Sequence, residues 1–427
     1  MKKFNNPPRS IWSELILRPQ LDLEYLDDAV KKIISEVKTK GDQAIRDFTL
    51  KFDQIAINDL LVSEKEISEA QSLLSAELIN AIDVASKNIE KFHAAQIQDF
   101  QVVETMPGVD CWRKAVAIEK VGLYIPGGSA PLFSTVLMLG IPARLAGCKE
   151  VILCTPPDKD GKVNPAILFA AFTVGIRKIF KVGGAQAIAA MASGTETIPK
   201  AYKIFGPGNQ FVTKAKQLVN QSGTAIDMPA GPSEVLVIAD DTANASFVAS
   251  DLLAQAEHGA DSQVVLLTFH ASQADQIEKE IKKQLPMLPR QQVASKALEK
   301  SLQIIFDQET DAIDFVNEYA PEHLILNTKN CDALAEKIIN SGSVFIGQYS
   351  PESAGDYASG TNHTLPTGGH AKAYAGVSLE SFTKKITFQK ITAAGLKIVG
   401  PAVEKMAEAE QLIAHKESVS IRLKSLK

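Results

Sequence analysis

Val121-Gly122-Leu123-Tyr124-Ile125-Pro126-Gly127-Gly128 is a short apolar run that stops at a proline and two glycines. A continuous apolar run of that length predicts a strand buried on both faces, and the turn residues predict where it ends. The pattern returns three times. Val151-Ile152-Leu153 precedes Thr155-Pro156-Pro157, Ile179-Phe180-Lys181-Val182 precedes Gly183-Gly184-Ala185-Gln186, and Ile204-Phe205 precedes Gly206-Pro207-Gly208-Asn209. Helical stretches separate these strands, so the order predicts a parallel sheet with crossover helices. In such sheets ligands lie beyond the carboxyl ends of the strands, where small residues let the backbone approach a phosphate and a helix N-terminus faces it. The glycine turns favour a nucleotide, although Gly-x-Gly-x-x-Gly is absent and any parallel sheet needs turns of this kind.

Working outward, Asp227-Met228-Pro229-Ala230-Gly231-Pro232-Ser233-Glu234 is a rigid turn that opens a second alternating series. Its strands are read at 235–238, 264–267, 303–306, 324–326 and 343–346, with helices at 271–298, 307–319 and 332–339 between them. Two sheet domains are therefore expected to face one another. Upstream, helical spacing at 27–38, 42–52 and 76–92, with the capping-box pattern Ser63-Glu64-Lys65-Glu66, predicts a scaffold in which His93 is structural. Residues 1–22 are polar and without period, and read as an arm. The C-terminal segment follows the strand-like run Lys385-Ile386-Thr387-Phe388, has a helix starting at Pro401, and is too small to carry its own core. Both ends are expected to pack on another chain, which a two-fold dimer provides.

The 427 residues exceed one small core, and 45% hydrophobic with 22% charged residues is ordinary for a soluble enzyme. No apolar run approaches membrane length and the first residues lack the apolar centre of a secretion signal, so a cytoplasmic protein without a membrane partner is expected. A net charge of −5 with no long basic run argues against nucleic acid. Cys111, Cys148, Cys154 and Cys331 are scattered, without thiolate-zinc spacing, and read as reduced. Cys154, at a strand end, reads as a small buried residue before it reads as a nucleophile.

The candidate chemistry lies in four places. Asp251, Gln255 and His258 stand at i, i+4 and i+7 on a helix expected to be capped by Asp240 or Asp241 and ended by a left-handed Gly259, so three groups able to bind a cation share one face. Ala320-Pro321-Glu322-His323 sets a carboxylate and an imidazole side by side at a strand start, able to deprotonate a water and an alcohol respectively. Residues 347–370 form the longest irregular stretch and carry Asp356, His363 and His370. Near the C-terminus Glu410 and His415 close a helix. An oxygen and imidazole set without thiolates suits zinc or another first-row metal.

These segments closely resemble those of the histidinol dehydrogenases. The likeness rests on Tyr124-Ile125-Pro126-Gly127-Gly128-Ser129-Ala130-Pro131, Gly206-Pro207-Gly208-Asn209, Gln255-Ala256-Glu257-His258-Gly259, Glu322-His323 and the stretch from Ala409-Glu410 to His415, and runs from about residue 20 to 420. It implies an α/β fold of two incomplete, doubly wound, Rossmann-like parallel-sheet domains with a helical N-terminal region and extended arms. The expected division is an arm at 1–22, a zinc and substrate domain at 23–117 plus 234–380, an NAD domain at 118–233, and a dimerisation arm at 381–427. The resemblance further implies one zinc ion per subunit on Gln255, His258, Asp356 and His415, NAD contacts at Tyr124, Gln186 and Asn209, and substrate contacts at Ser233, His363 and Glu410. Gln255, His258, Asp356, His415 and His323 also face the substrate in that scheme, and Glu322 and His323 move the protons. The implied reaction oxidises L-histidinol through L-histidinaldehyde to L-histidine with two NAD+, in a homodimer with shared sites. Against it stand a zinc hydrolase, which needs no nucleotide, and a nucleotide sensor whose zinc is structural.

Overall fold

The apolar runs form strands because both of their faces are covered: Glu234–Ala239 and Gln263–Thr268 are buried at every position. The computed structural model describes residues 1–18, 26–127, 131–229 and 231–426. The sequence readings of residues 19–22 as arm, and of Gly128, Ser129, Ala130 and Ala230 as turns, lie outside these. In chain order the strands are β1 (Lys2–Asn5), β2 (Val102–Met106), β3 (Val109–Ala117), β4 (Lys120–Tyr124), β5 (Glu150–Thr155), β6 (Lys178–Lys181) and β7 (Lys203–Phe205). They continue as β8 (Ala225–Ile226), β9 (Glu234–Ala239), β10 (Gln263–Thr268), β11 (Leu302–Ile305), β12 (His323–Asn327), β13 (Ser343–Ile346) and β14 (Thr383–Ile391).

Two parallel sheets carry the fold, ordered β6-β5-β4-β7-β8 and β1-β11-β10-β9-β12-β13. Each winds outward from a central first strand, β4 or β9, through two strands on one side and then two on the other. This is the doubly wound order lacking its last strand, and it places a crevice where the winding reverses. Alternate side chains feed the two faces. In the second sheet Val235, Val237 and Ile325 pack under the Ala245–Ala256 helix. Leu236, Ile238 and Leu324 pack under Glu309–Tyr319 on the opposite face.

Two expectations about the chain's ends change. Helices Leu26–Lys40 and Asp42–Asp53 pack on the helices of one face of the first sheet, and Ala76–Ala94 packs on helix Phe133–Ala146 of the other. By packing, the N-terminal helices go with the first sheet, whereas the sequence grouping had joined 23–117 to 234–380. The N-terminal segment also needs no second chain to hold it. β1 extends the second sheet beside β11 in the register Lys2↔Leu302 to Asn5↔Ile305, and Trp12 is buried edge-on between Phe306 and Phe315 at 5.7 and 5.4 Å. Its indole N–H donates to the Pro7 carbonyl at 3.1 Å. A polar edge strand shows no apolar period, and Lys2 and Lys3 on it discourage pairing with a further strand.

The C-terminal segment does pair as a strand. β14 lies antiparallel to β3 along its whole length, in a three-stranded sheet ordered β14-β3-β2. Helix Ala393–Ala409 starts at the Thr392 cap, whose side chain accepts the Gly395 N–H, and Pro401 sits inside it instead of starting it. This helix and Ile413–Ser425 pack on each other and leave Ile398, Met406, Ile413 and Ile421 exposed.

Trp12→Ala removes the anchor of the N-terminal segment, and should cost about 3 to 5 kcal/mol, the usual range for a buried aromatic. Denaturant unfolding with the slope held constant measures this. An unchanged midpoint would show that the segment adds nothing to the second sheet.

Candidate active site

Glu322 and His323 are set by what precedes them. Helix Glu309–Tyr319 ends at Ala320, which is left-handed (φ 53°) despite its Cβ, a conformation that costs about 1–2 kcal/mol and marks a constrained turn. Pro321 then leads into β12, whose first residue is His323, paired with Val235 next to Glu234 at the start of β9. The Glu234 N–H donates to Glu322 Oε2 at 2.9 Å, and the Glu234 carbonyl lies 3.3 Å from His323 Nδ1. Because a carbonyl can only accept, Nδ1 carries a proton in that contact.

Against this ring stands the short helix Glu352–Tyr357, where the sequence reading had only irregular chain. Its Glu352 and Asp356 are at i and i+4 and so share a face. Glu352 Oε1 is 3.6 Å from His323 Nδ1 and Asp356 Oδ1 is 3.5 Å from Nε2, while Glu322 Oε2 is 3.6 Å from Nδ1. Glu322, His323 and Glu352 are buried. Burial pushes the Glu322 and Glu352 carboxyls up to about 8, against the attraction of His323. Burial also disfavours the His323 imidazolium, but Glu352, Glu322 and Asp356 together hold it well above the ordinary histidine value. Burial raises Asp356 too, and there His323, then His363 and His258, more than offset it and keep this carboxyl low.

Helix Ala245–Ala256 returns the chain to the same edge. It is capped by Asn244, whose side chain accepts the Ser246 N–H, and not by Asp240 or Asp241. Gly259 is not left-handed, so the helix ends without the glycine motif expected for it. Gln255 is wholly buried, and Asp251 in the preceding turn is pushed up to about 7 by burial. His258 stands exposed at the rim, yet surrounded closely enough that desolvation lowers its pKa, with Asp356 opposing.

The other wall is the carboxyl edge of the first sheet. Tyr124 ends β4, is buried, and its hydroxyl accepts the Gly184 N–H at 3.1 Å. Gln186 is buried in the first turn of helix Gly184–Ser193. Asn209 is exposed and caps helix Gln210–Gln221, its side chain accepting the Phe211 and Val212 N–H groups. Gly206 (φ 125°) must be glycine, since a Cβ there would overlap the Tyr124 carbonyl. Two helices therefore start at this edge, one after a glycine and one after a capping amide.

The segment after Asp356 ties the walls together. His363 Nδ1 lies 2.8 Å from the Asp356 carbonyl and Nε2 lies 3.0 Å from Thr135 Oγ1, at the start of helix Phe133–Ala146. Asn362 donates to the Met138 carbonyl at 2.6 Å and lies 3.4 Å from His93 Nε2, so His93 is structural as expected. The first sheet thus offers its carboxyl edge, as the sequence rule predicts, while the second offers its amino edge, which the rule does not.

Not every expected residue joins. Ser233 precedes β9 and its carbonyl accepts the Gln263 N–H at 3.2 Å. Glu410 and His415 are exposed on the C-terminal helices, and neither is among the charges that act on His258, His323, His363 or Asp356 in this chain. His370 packs edge-on against Tyr374 instead. Cys154 is fully buried and its thiol pushed far up, so it is no nucleophile. Glu352 was missed by sequence reasoning, although its spacing from Asp356 in Pro351-Glu352-Ser353-Ala354-Gly355-Asp356 was a usable signal.

Several buried polar atoms here have no hydrogen-bond partner: both Gln255 amide atoms, His323 Nε2, Glu352 Oε2 and Asp356 Oδ1. Candidate ligand atoms of His323, Glu352 and Asp356 lie within 4.8 Å of one another. A cation would satisfy the orphaned atoms of His323, Glu352 and Asp356, so this donor group fits zinc.

The description of the histidinol dehydrogenase family matches residues 16–423. The chain belongs to the histidinol dehydrogenase family. Among its relatives, a histidinol dehydrogenase of Bacteroides thetaiotaomicron is 57% identical over 427 residues, covering 100% of both chains. One from Escherichia coli O157:H7 is 51% identical over 417 residues, 97% of this chain and 95% of that one. The crystal structure of histidinol dehydrogenase from Elizabethkingia anophelis superposes with a TM-score of 0.98 at 58% identity, covering 100% of this chain and 98% of that one. The hydrolase and nucleotide-sensor readings fall away with membership of the histidinol dehydrogenases.

The orphaned donors predict a stability linkage. Dialysis against a chelator should lower the melting temperature and zinc should restore it, by about 2.7 kcal/mol with the ion at a hundredfold its Kd. Superimposable melting curves, with no metal found by elemental analysis, would mean that these atoms await no ion.

Proposed function

We propose that the chain oxidises L-histidinol to L-histidine through L-histidinaldehyde, with two NAD+ taking up the four electrons. The observation that carries this is the buried Glu322–His323 pair at the amino edge of one sheet, opposite the glycine-rich carboxyl edge of another. Gln255, His258 and Asp356 would hold zinc with His415 from a second copy, and the substrate would meet these groups together with Ser233, His323, His363 and Glu410. NAD would lie on the sheet of residues 118–233, against Tyr124, Gln186 and Asn209. When bound, NAD accepts hydride, while zinc fixes the substrate's amine and imidazole nitrogens.

The protein's part is proton transfer and positioning. His323 turns Nδ1–H to the Glu234 carbonyl and sets Nε2 beside Asp356, and in its deprotonated form Nε2 takes the hydroxyl proton as hydride leaves the carbinol carbon. The aldehyde must then gain water before a second hydride can leave the same carbon. Glu322 is held at Oε2 by the Glu234 N–H and has its other oxygen to take a proton from that water. His323 again accepts the hydroxyl proton of the hydrate. One water and two NAD+ are consumed per histidinol, which balances alcohol against carboxylate.

Two features support a homodimer with shared sites. His415 and Glu410 lie on exposed helices apart from their own chain's cluster, and those helices present unpartnered apolar side chains. No described helix is long and apolar enough to cross a membrane. A cytoplasmic location, without membrane or nucleic-acid partners, fits small soluble reactants.

The decisive assay follows absorbance of reduced nicotinamide and expects two NADH per histidinol. In it His323→Asn should slow both oxidations by about 100-fold or more, whereas Glu322→Gln should slow mainly the water-dependent step. Feeding histidinaldehyde separates the steps, and a Glu322→Gln enzyme blocked only in alcohol oxidation would reverse these roles.

Sharing is tested by mixing inactive His258→Asn and His415→Asn chains. A mixed dimer gathers both defects in one site and leaves the other intact, so random pairing should restore about a quarter of wild-type activity. No recovery after demonstrated subunit exchange would put His415 in its own chain's site.

A further inference from the structure

Behind the acid–base pair lies a second buried network that the reaction scheme does not use. Arg18 grips Glu234 through two hydrogen bonds, Nε to Oε2 at 2.7 Å and Nη2 to Oε1 at 3.0 Å, with the side chains 13% and 1% exposed. Its guanidinium lies flat on the Tyr319 ring, 3.5 Å from the centroid, and Nη2 donates to the Tyr319 carbonyl at 2.6 Å and the Ala320 carbonyl at 3.4 Å. Tyr319 in turn donates to Gln263 Oε1 at 2.8 Å, and Glu234 Oε1 accepts the Gly368 N–H at 3.1 Å.

One cation therefore joins the start of β9, the turn that delivers Glu322 and His323, and the loop beyond His363. A buried ion pair alone is weak evidence of anything but folding. This one is different in its position, because the clamped residue is the one whose main chain touches both members of the pair. The Glu234 N–H holds the Glu322 carboxylate and the Glu234 carbonyl orients the His323 ring. Moving that peptide by a fraction of an ångström would turn Glu322 and His323 together.

We propose that Arg18 and Glu234 are positioning residues of the oxidation, aligning Glu322 and His323 through the Glu234 main chain. The inference rests on the proton-transfer roles given above. It also assigns a task to the N-terminal segment, since burial of Trp12 and Leu15 on the second sheet brings Arg18 to this point.

The test uses zinc-loaded full-length enzyme carrying Arg18→Gln with Glu234→Gln, which leaves no buried charge unpaired, and Arg18→Lys, which keeps the charge but not the two-pronged grip. The expected result is a kcat lower by on the order of 10- to 100-fold per zinc-loaded site in the double variant, with KM for NAD unchanged and Arg18→Lys intermediate. In the background of Glu322→Gln the double variant should cost less for histidinaldehyde oxidation, because one of the two residues it positions is already disabled. A merely structural pair would lower the melting temperature while leaving kcat per loaded site at the wild-type value, and that outcome overturns the proposal. So would losses that multiply independently with Glu322→Gln. Full activity in Glu322→Gln and His323→Asn themselves would instead strike at the proton-transfer roles, whatever the Arg18 variants do.

Discussion

Three carboxylates, Glu322, Glu352 and Asp356, crowd one imidazole in a largely buried cluster, and this imbalance of buried charge is the constraint on which the rest of the structure depends. Burial pushes two of the acids up to about 8 and the nearby Asp251 to about 7, and the attraction of a single His323 does not offset it for Glu322 and Glu352. Isolated buried charges are costly, so an arrangement like this persists only when something else supplies positive charge or the acids hold their protons. A divalent ion held among His323, Glu352 and Asp356 would supply it directly. The fold can then keep the group rigid, because strand starts, a constrained turn and a short helix all converge there.

Two sheets wound the same way are used at opposite edges, and the electrostatics of helices give a reason. At the carboxyl edge of a parallel sheet helices begin, presenting free N–H groups and positive dipole ends that suit the phosphates of a dinucleotide. At the amino edge helices finish, and their negative ends suit a cation. Helix Ala245–Ala256 ends between Gln255 and His258, at that edge of the second sheet. A crevice formed by one edge of each kind would set an anion site against a cation site, the arrangement that the proposed hydride transfer to a nicotinamide requires.

Legibility in the sequence followed burial. β13 was read with the bounds it has, and the other core strands to within a residue or two, because their apolar runs are long enough to exclude a solvated face. β1 was not legible, since a lysine-bearing edge strand has no apolar period, and β2, exposed at every position, has none either. Glu322, His323, His258 and Asp356 could be singled out from residue type and context. Gln255 as a ligand came only from family likeness, for an amide is an uncommon choice, and its buried, unpartnered atoms are visible only in three dimensions. Arg18 and Glu234 were invisible for a deeper reason: 216 residues separate them along the chain, and nothing local marks either as a partner.

The spacing between the two edges depends on one loop. His363 contacts the Asp356 carbonyl at one ring nitrogen and Thr135 at the other, Asn362 reaches the Met138 carbonyl, and Thr367 accepts the Gly231 N–H at 2.5 Å. The first contact ties the loop to helix Glu352–Tyr357, and the other three join the loop to a helix of the first sheet or to the turn between the sheets. Hydride transfer tolerates little error in distance, because reacting atoms must be held at about 3 to 3.5 Å. A loop that spans both walls with a histidine, an amide and a hydroxyl fixes that distance by hydrogen bonds of set length, so the gap is determined where the chemistry occurs and not by the distant packing of two large cores.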